Sequence, residues 1–309
     1  MKKQITTLRE MPDRLTVKAA GLMVALTVSM AHLSVACVSR DHYSKAVASA
    51  APVVESPVGM IPALMRFEQA QSREFRWRGA IAAGRVVEIK GVNGNIRAEP
   101  AAGGEVEVVA EKTGRRSDPE SVRVQVVEHA DGVTICAVYP SSHANQPNTC
   151  APGEGYRSSV RNNDVNVDFV VRVPAGVRFD GRTVNGGVQA ESLTADVSAQ
   201  TVNGNVKIST GGMARAETVN GSITAALGRA DWPDMLEFKT VNGSISLTLP
   251  AGVSTEVHAK TVNGDISTDF PLTVEGRFGK RNLNGTIGGG GRDLQLKTVN
   301  GAIEIRRAR

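Results

Sequence analysis

"KTVNGSISL", residues 239–247, contains the tetrapeptide Thr-Val-Asn-Gly, which also begins at Thr183, Thr201, Thr218, Thr261 and Thr298. A close copy, Asn282-Leu283-Asn284-Gly285, fills the one gap in the series, and a distant one, Gly91-Val92-Asn93-Gly94, lies far upstream. From residue 183 onward the starts are 18, 17, 22, 21, 21 and 16 residues apart. A period of about 20 residues sustained over so many copies marks a stacked array.

The residues around each copy show what it does. Leu236 and Phe238 precede Thr240, Val257 and Ala259 precede Thr261, and Leu294 and Leu296 precede Thr298. Apolar residues two and four places before Thr put Thr on the inward face of a strand, where side chains alternate with period 2. After the Gly, apolar residues return five and seven places beyond Thr: Ile245 and Leu247, Val206 and Ile208, Ile303 and Ile305. Five is odd, so the inward phase slips by one within the motif. A straight strand would turn its core residues out to water, and the chain must therefore bend at Val-Asn-Gly. Gly and Asn are the two residues most tolerant of the conformations a sharp bend uses.

A hairpin turn and a stacked corner both satisfy the bend. Hairpin turns of a meander lie at alternate ends and need not resemble one another, whereas stacked corners touch and can form ladders of like groups. The repetition therefore predicts an all-β fold, a parallel β-solenoid of about seven to eight rungs of roughly 16–22 residues, preceded by a β-rich N-terminal portion. Thr hydroxyls and Asn amides would bond from rung to rung. The ladder comprises Asn93, Asn185, Asn203, Asn220, Asn242, Asn263, Asn284 and Asn300, with Gly94, Gly186, Gly204, Gly221, Gly243, Gly264, Gly285 and Gly301 beside them. Removing an inner amide such as Asn242 is expected to cost about 1–3 kcal/mol, and removing the outermost, Asn300, less.

Upstream, Val87 and Ile89 alternate with polar residues, and "EVEVVAEK", "SVRVQVVE", "GVTICAVY" and "VNVDFVVRVP" follow as strands between Gly, Pro, Asp and Ser clusters. The expected organisation is a signal peptide at 1–36, a tether at 37–75 and a β-solenoid domain at 76–309, irregular over 85–175 and regular over 176–309. The signal rests on a basic stretch ending at Lys18, then "AAGLMVALTVSMAHLSVA" (19–36), then Cys37. "LSVAC" (33–37) resembles a bacterial lipobox, which makes Cys37 the lipidation candidate, with ordinary cleavage and a retained anchor as alternatives. Val38 after it favours an outer-membrane-anchored lipoprotein over other placements in the envelope, periplasmic or cell-surface. The tether "SKAVASAAPVVESPVGMIPAL" has no sustained periodicity, and a short helix is expected near "ALMRFEQAQ".

Of the three cysteines, Cys136 and Cys150 remain as a pair once Cys37 is set aside, and export favours a disulfide between them over two free thiols. His129 and His143 lack a ligand spacing that would make the pair a metal site.

The chain has 309 residues, 41% apolar and 22% charged, which supports a globular core. Residues 1–36 hold five basic and two acidic groups, a net of +3, so the remainder carries only +2 of the total +5. That balance excludes a concentrated basic face for nucleic acid. No catalytic, cofactor or metal residues emerge. The five histidines are scattered, and His258, between Val257 and Ala259, has outward parity and reads as solvated. No Gly-x-Ser-x-Gly elbow is present. Asp164 and Asp168 in "NNDVNVD" read as a solvated edge, with a cation or sugar site as the sharper alternative. Aromatics at 4% are too sparse for a sugar-stacking groove.

"FRWRGAIAAGRVVEIKGVNGNIRAEP" (75–100), "VDFVVRVPAGVRFDGRTVNGGVQAESL" (167–193) and the closing "LQLKTVNGAIEI" together resemble the bacterial "putative adhesin" family, of the domain-of-unknown-function 4097 type, over about residues 75–309. The resemblance implies an exported β-solenoid in the cell envelope and supplies no catalytic residues. The expected function is a non-enzymatic envelope protein that uses its solenoid as an adhesin-like surface, its partner an envelope protein or surface glycan, its membrane attachment a lipid anchor. A self-assembling scaffold, an accessory to an envelope-stress system and, last, a glycan-active enzyme are the alternatives.

Overall fold

The computed structural model describes residues 71–274 and 279–308. The signal, the lipobox with Cys37 and the expected helix near residue 65 fall outside them. The first described strand, Gln71–Ala80, begins within the segment read as tether. No helix among the described residues is long and apolar enough to cross a membrane.

The described residues form two large sheets, of ten and eleven strands, in which parallel pairing dominates. Successive strands of the repeat region alternate between them. Leu236–Lys239 belongs to the eleven-stranded sheet, Ile245–Leu249 to the ten-stranded one, and Thr240-Val-Asn-Gly joins the two. The phase slip is spent at this passage. Leu236, Phe238, Thr240, Ile245 and Leu247 are all buried, while Val241 points to solvent. The inner faces meet in one apolar cluster that runs from Val87 and Ile89 to Ile303 and Ile305. Full burial of a side chain such as Leu247 is worth about 1.5–3 kcal/mol.

The spatial order of the corners departs from their order in sequence. Parallel bridges run Asn93–Asn185–Asn203–Asn220–Asn242–Asn300–Asn263. The last strand, Ile303–Arg307, therefore lies between Ile245–Leu249 and Ile266–Thr268. In the other sheet Asp293–Lys297 lies between Leu236–Lys239 and Thr255–Lys260. Asn300, expected outermost, is internal, and Asn263 ends the row.

The N-terminal portion is also partly regular. Val86–Lys90 and Ile96–Pro100 pair parallel with Arg178–Arg182 and Val188–Leu193. Beyond them lie Gly132–Val138 and Asn166–Val173, also parallel. Here a long polar loop, residues 140–164, replaces the corner, and buried Tyr139 fills its place. The Tyr139 hydroxyl lies 2.9 Å from Val165 O and 3.2 Å from Asn93 O. Antiparallel strands Gln71–Ala80 and Arg123–His129 form the outer edges at this end.

Two devices hold the loop. The Cys136–Cys150 disulfide closes it, a constraint worth about 3 kcal/mol in the chain-entropy model. The fully buried Lys90 ammonium donates to Ala151 O at 2.7 Å and Gly153 O at 2.6 Å, and pairs with Glu88 Oε1 at 3.0 Å. Glu88 Oε2 in turn accepts from Thr134 Oγ1 at 2.7 Å and from the Gly153 N–H at 3.2 Å. Lys90→Met would strand the buried carboxylate and two carbonyls. Loss of one partner of a buried pair predicts a destabilisation of about 3 kcal/mol, read by urea unfolding, with earlier proteolysis of the 140–164 loop. A change below about 1 kcal/mol would show that Arg182, 3.9 Å from Glu88, takes over the charge.

Candidate functional site: the corner column

Each of the six Thr-Val-Asn-Gly corners presents the same three groups in the same places. Thr faces inward and donates its hydroxyl to the carbonyl of the corner Gly one level away. The pairs are Thr183 to Gly94 O, Thr201 to Gly186 O, Thr218 to Gly204 O, Thr240 to Gly221 O, Thr298 to Gly243 O and Thr261 to Gly301 O, at 2.7–3.0 Å. The Thr hydroxyls thus bond from corner to corner through the neighbouring Gly carbonyl and not to one another.

The Asn side chains form a continuous row. Nδ2 of Asn185, Asn203, Asn220, Asn242, Asn300 and Asn263 each donates to Oδ1 of the preceding member in that spatial order, from Asn93 onward, at 2.7–2.9 Å. Every one of these six is solvent-exposed, so an interior member is worth less than a buried amide, about 1 kcal/mol. Asn220→Ala and Asn300→Ala are expected to lose about that much, and Asn263→Ala, with one neighbour, about half. Equilibrium unfolding of the three variants reads the order directly. An Asn300→Ala loss as small as that of Asn263→Ala would return Asn300 to an end.

Asn284 stands elsewhere. It lies inside Asn282–Ile287, an antiparallel strand in which Leu283, Gly285 and Ile287 are buried and Asn284 faces out. The alternation runs straight through, with no phase slip and no corner. Gly285 leaves the series with it.

Beside the amides runs a column of valines. In spatial order Val184, Val202, Val219, Val241, Val299 and Val262 are 37–47% exposed, at corners between strands that neighbours in a sheet hold about 4.8 Å apart. Each amide keeps a second N–H beyond the one the row uses. The column thus alternates methyl pairs with evenly spaced donors, a surface suited to a flat or extended partner.

The aspartates noted in the sequence have structural partners. Asp164 accepts from the backbone N–H of Ser117 at 2.8 Å and of Arg116 at 3.1 Å. The Ser117 N–H, ahead of the other bonds, holds its carboxyl below the usual range. That stabilising contribution is present above the unfolded pKa and is lost as pH falls through the lower folded value. Asp168 accepts from Asn95 N at 2.7 Å and Asn166 Nδ2 at 2.6 Å. The two do not form a paired acid and base.

Residues 179–306 match the family model described as Toastrack DUF4097. A search of curated proteins finds no match. Among solved structures the chain is similar to a "putative cell adhesion protein" from Clostridium sporogenes, at 9% identity and TM-score 0.37, over 76% of this chain and 100% of that one. It is also similar to a "putative adhesin" from Bacteroides fragilis, at 10% identity and TM-score 0.25, over 76% and 97% of the two chains. A "putative adhesin" from Parabacteroides distasonis is similar at 12% identity and TM-score 0.20, over 76% and 97%.

Proposed function

With its repeat region, residues 179–306, belonging to the Toastrack DUF4097 family, we propose that this chain is a non-enzymatic protein of the cell envelope whose corner column is an adhesin-like binding surface. In this reading the paired sheets are a parallel β-solenoid of about seven to eight rungs. Cys37 carries the lipid anchor that attaches it to the outer membrane, and the partner is a surface glycan or an envelope protein.

The observation that carries the reading is the valine column. Single exposed apolar residues are ordinary on a soluble surface, but a contiguous apolar patch is the mark of an interaction site. Here six valines repeat at one position of the motif, where the fold asks only for a side chain that points away from the core. A self-assembling scaffold is favoured less. Antiparallel strands, Gln71–Ala80, Arg123–His129 and Leu272–Val274, form three of the four sheet edges, and the fourth, the three-residue Ile266–Thr268, is the one parallel edge among the described residues.

The test places a photo-crosslinking residue at Val202 in cells and recovers the adducts. An adduct with a surface glycan or one envelope protein, lost on Val219→Lys, is the expected result. Equal labelling from Gly103, away from the column, would sink the proposal. Self-adducts alone would move the reading to a scaffold.

A further inference from the structure

We propose that Glu256, His258 and Asp293 form a divalent transition-metal site, with zinc preferred, on the outer face of the eleven-stranded sheet. Val257 and Ala259 are buried, so Glu256 and His258 share the outward face of Thr255–Lys260. Asp293 starts the neighbouring strand and is the direct register partner of Glu256. A ligand atom from each of the three lies within 4.8 Å of the other two.

The imidazole is oriented for a cation. On its other side His258 is the register partner of Asn284, and His258 Nδ1 lies 3.2 Å from Asn284 Oδ1. An amide oxygen only accepts, so the ring proton belongs on Nδ1. Nε2 then presents a lone pair toward Asp293 Oδ1, 3.8 Å away. A ligating histidine held through its second nitrogen in this way is the usual arrangement at metal centres. Three acceptors thus converge, and among the described residues no lysine or arginine pairs with either carboxylate. Lys297, two places beyond Gln295 on the same strand, is turned to Gln295 Oε1 at 2.8 Å. With the imidazole neutral, these convergent acceptors have no donor among them and call for a positive charge between them.

The ligand set selects the ion. One imidazole and two carboxylates suit zinc, with a fourth position open to water, whereas calcium takes oxygen ligands alone. Bonds of about 2.0–2.1 Å give a tetrahedral edge of about 3.4 Å. The Nε2–Oδ1 separation is close to that already, and the exposed Glu256 side chain is free to close the third corner. The ion would clamp Thr255–Lys260 to Asp293–Lys297, two strands whose pairing the repeat order does not foretell. Asn284, the copy that stands outside the corner row, would serve as the residue that positions the imidazole.

The experiment is calorimetric titration of chelator-stripped, tag-free full-length protein with zinc. One equivalent is expected to bind. His258→Gln and Asp293→Asn should weaken binding at least about tenfold, and Asn284→Ala, which removes no ligand, about 10- to 100-fold. The substituted side chains all face outward, and circular dichroism checks that each variant keeps its strands. As a second readout, zinc should raise the thermal midpoint of the parent and not of Asp293→Asn. Absence of saturable binding, or binding unchanged in His258→Gln, would overturn the site.

Discussion

Gly221→Ala is expected to destabilise the protein by about 3 kcal/mol or more, beyond the usual range for overpacking. A methyl group at Gly221 would sit 1.9 Å from Gly204 O and 2.5 Å from Gly204 C. The obstacle is backbone, which cannot swing aside. The same carbonyl accepts the Thr218 hydroxyl at 2.9 Å, so any shift that relieves the clash also breaks that bond. The corner glycines are alike in this: Gly204, Gly243, Gly264 and Gly301 each face the carbonyl oxygen of a stacked neighbour at 2.0–2.1 Å. Their φ values lie outside the left-handed region, with only Gly94 and Gly186 positive. Bend chemistry therefore explains the motif only in part, and close stacking of corner on corner explains the rest. Two controls separate the causes. Gly285→Ala meets Thr273 O at 3.0 Å and should cost less, while Gly103→Ala meets nothing within 4 Å and should be close to neutral. Equal losses at Gly221 and Gly103 in urea unfolding would remove the stacking argument.

Ending the chain after Arg292 is expected to abolish the cooperative unfolding transition. If the corners stacked in sequence order, this deletion would trim one end and leave the rest folded, as expected of a linear array. The structure places the deleted strands inside both sheets. Without Asp293–Lys297 and Ile303–Arg307, the segments Thr255–Lys260 and Ile266–Thr268 lose the neighbours that join them to the stack. Buried Leu294, Leu296, Ile303 and Ile305 leave with them. A truncated protein that kept a sharp transition and a midpoint near the parent's would show that the stack can close in sequence order. The same placement means that Thr255–Thr268 cannot complete its pairing until the last residues of the chain arrive.

Much of this architecture was legible in the residues. The apolar pairs before each Thr and the odd offset after it marked both strands and the bend between them. Burial follows that reading, with Thr240 and Ile245 inside and Val241 outside. The exception at Asn284 carried a visible warning. Each true corner follows two alternating apolar or small residues, as Leu236 and Phe238 do before Thr240 and Phe179 and Gly181 do before Thr183, whereas Lys280 stands two places before Asn282. The reason for glycine was only half visible, because φ preference belongs to one residue and a 2 Å approach belongs to two.

The sequence by itself determined every feature that depends on local alternation: the all-β class, the inward and outward faces, the bends and the uniform corner. These follow from side chains a few residues apart, which the chain holds together whatever its partners do. Only the tertiary structure decided which strand lies beside which. Residues of the corner row are chemically alike, so nothing in the motif distinguishes Asn300 between Asn242 and Asn263 from Asn300 at the end. The choice is made by pairing between distant segments, here the antiparallel Asn282–Ile287 against Thr255–Lys260, which leaves the space that Asp293–Lys297 fills. That same long-range register brings Asp293 to Glu256 and Asn284 to His258. Register is an energy of the assembled sheets, and no stretch of the chain contains it alone.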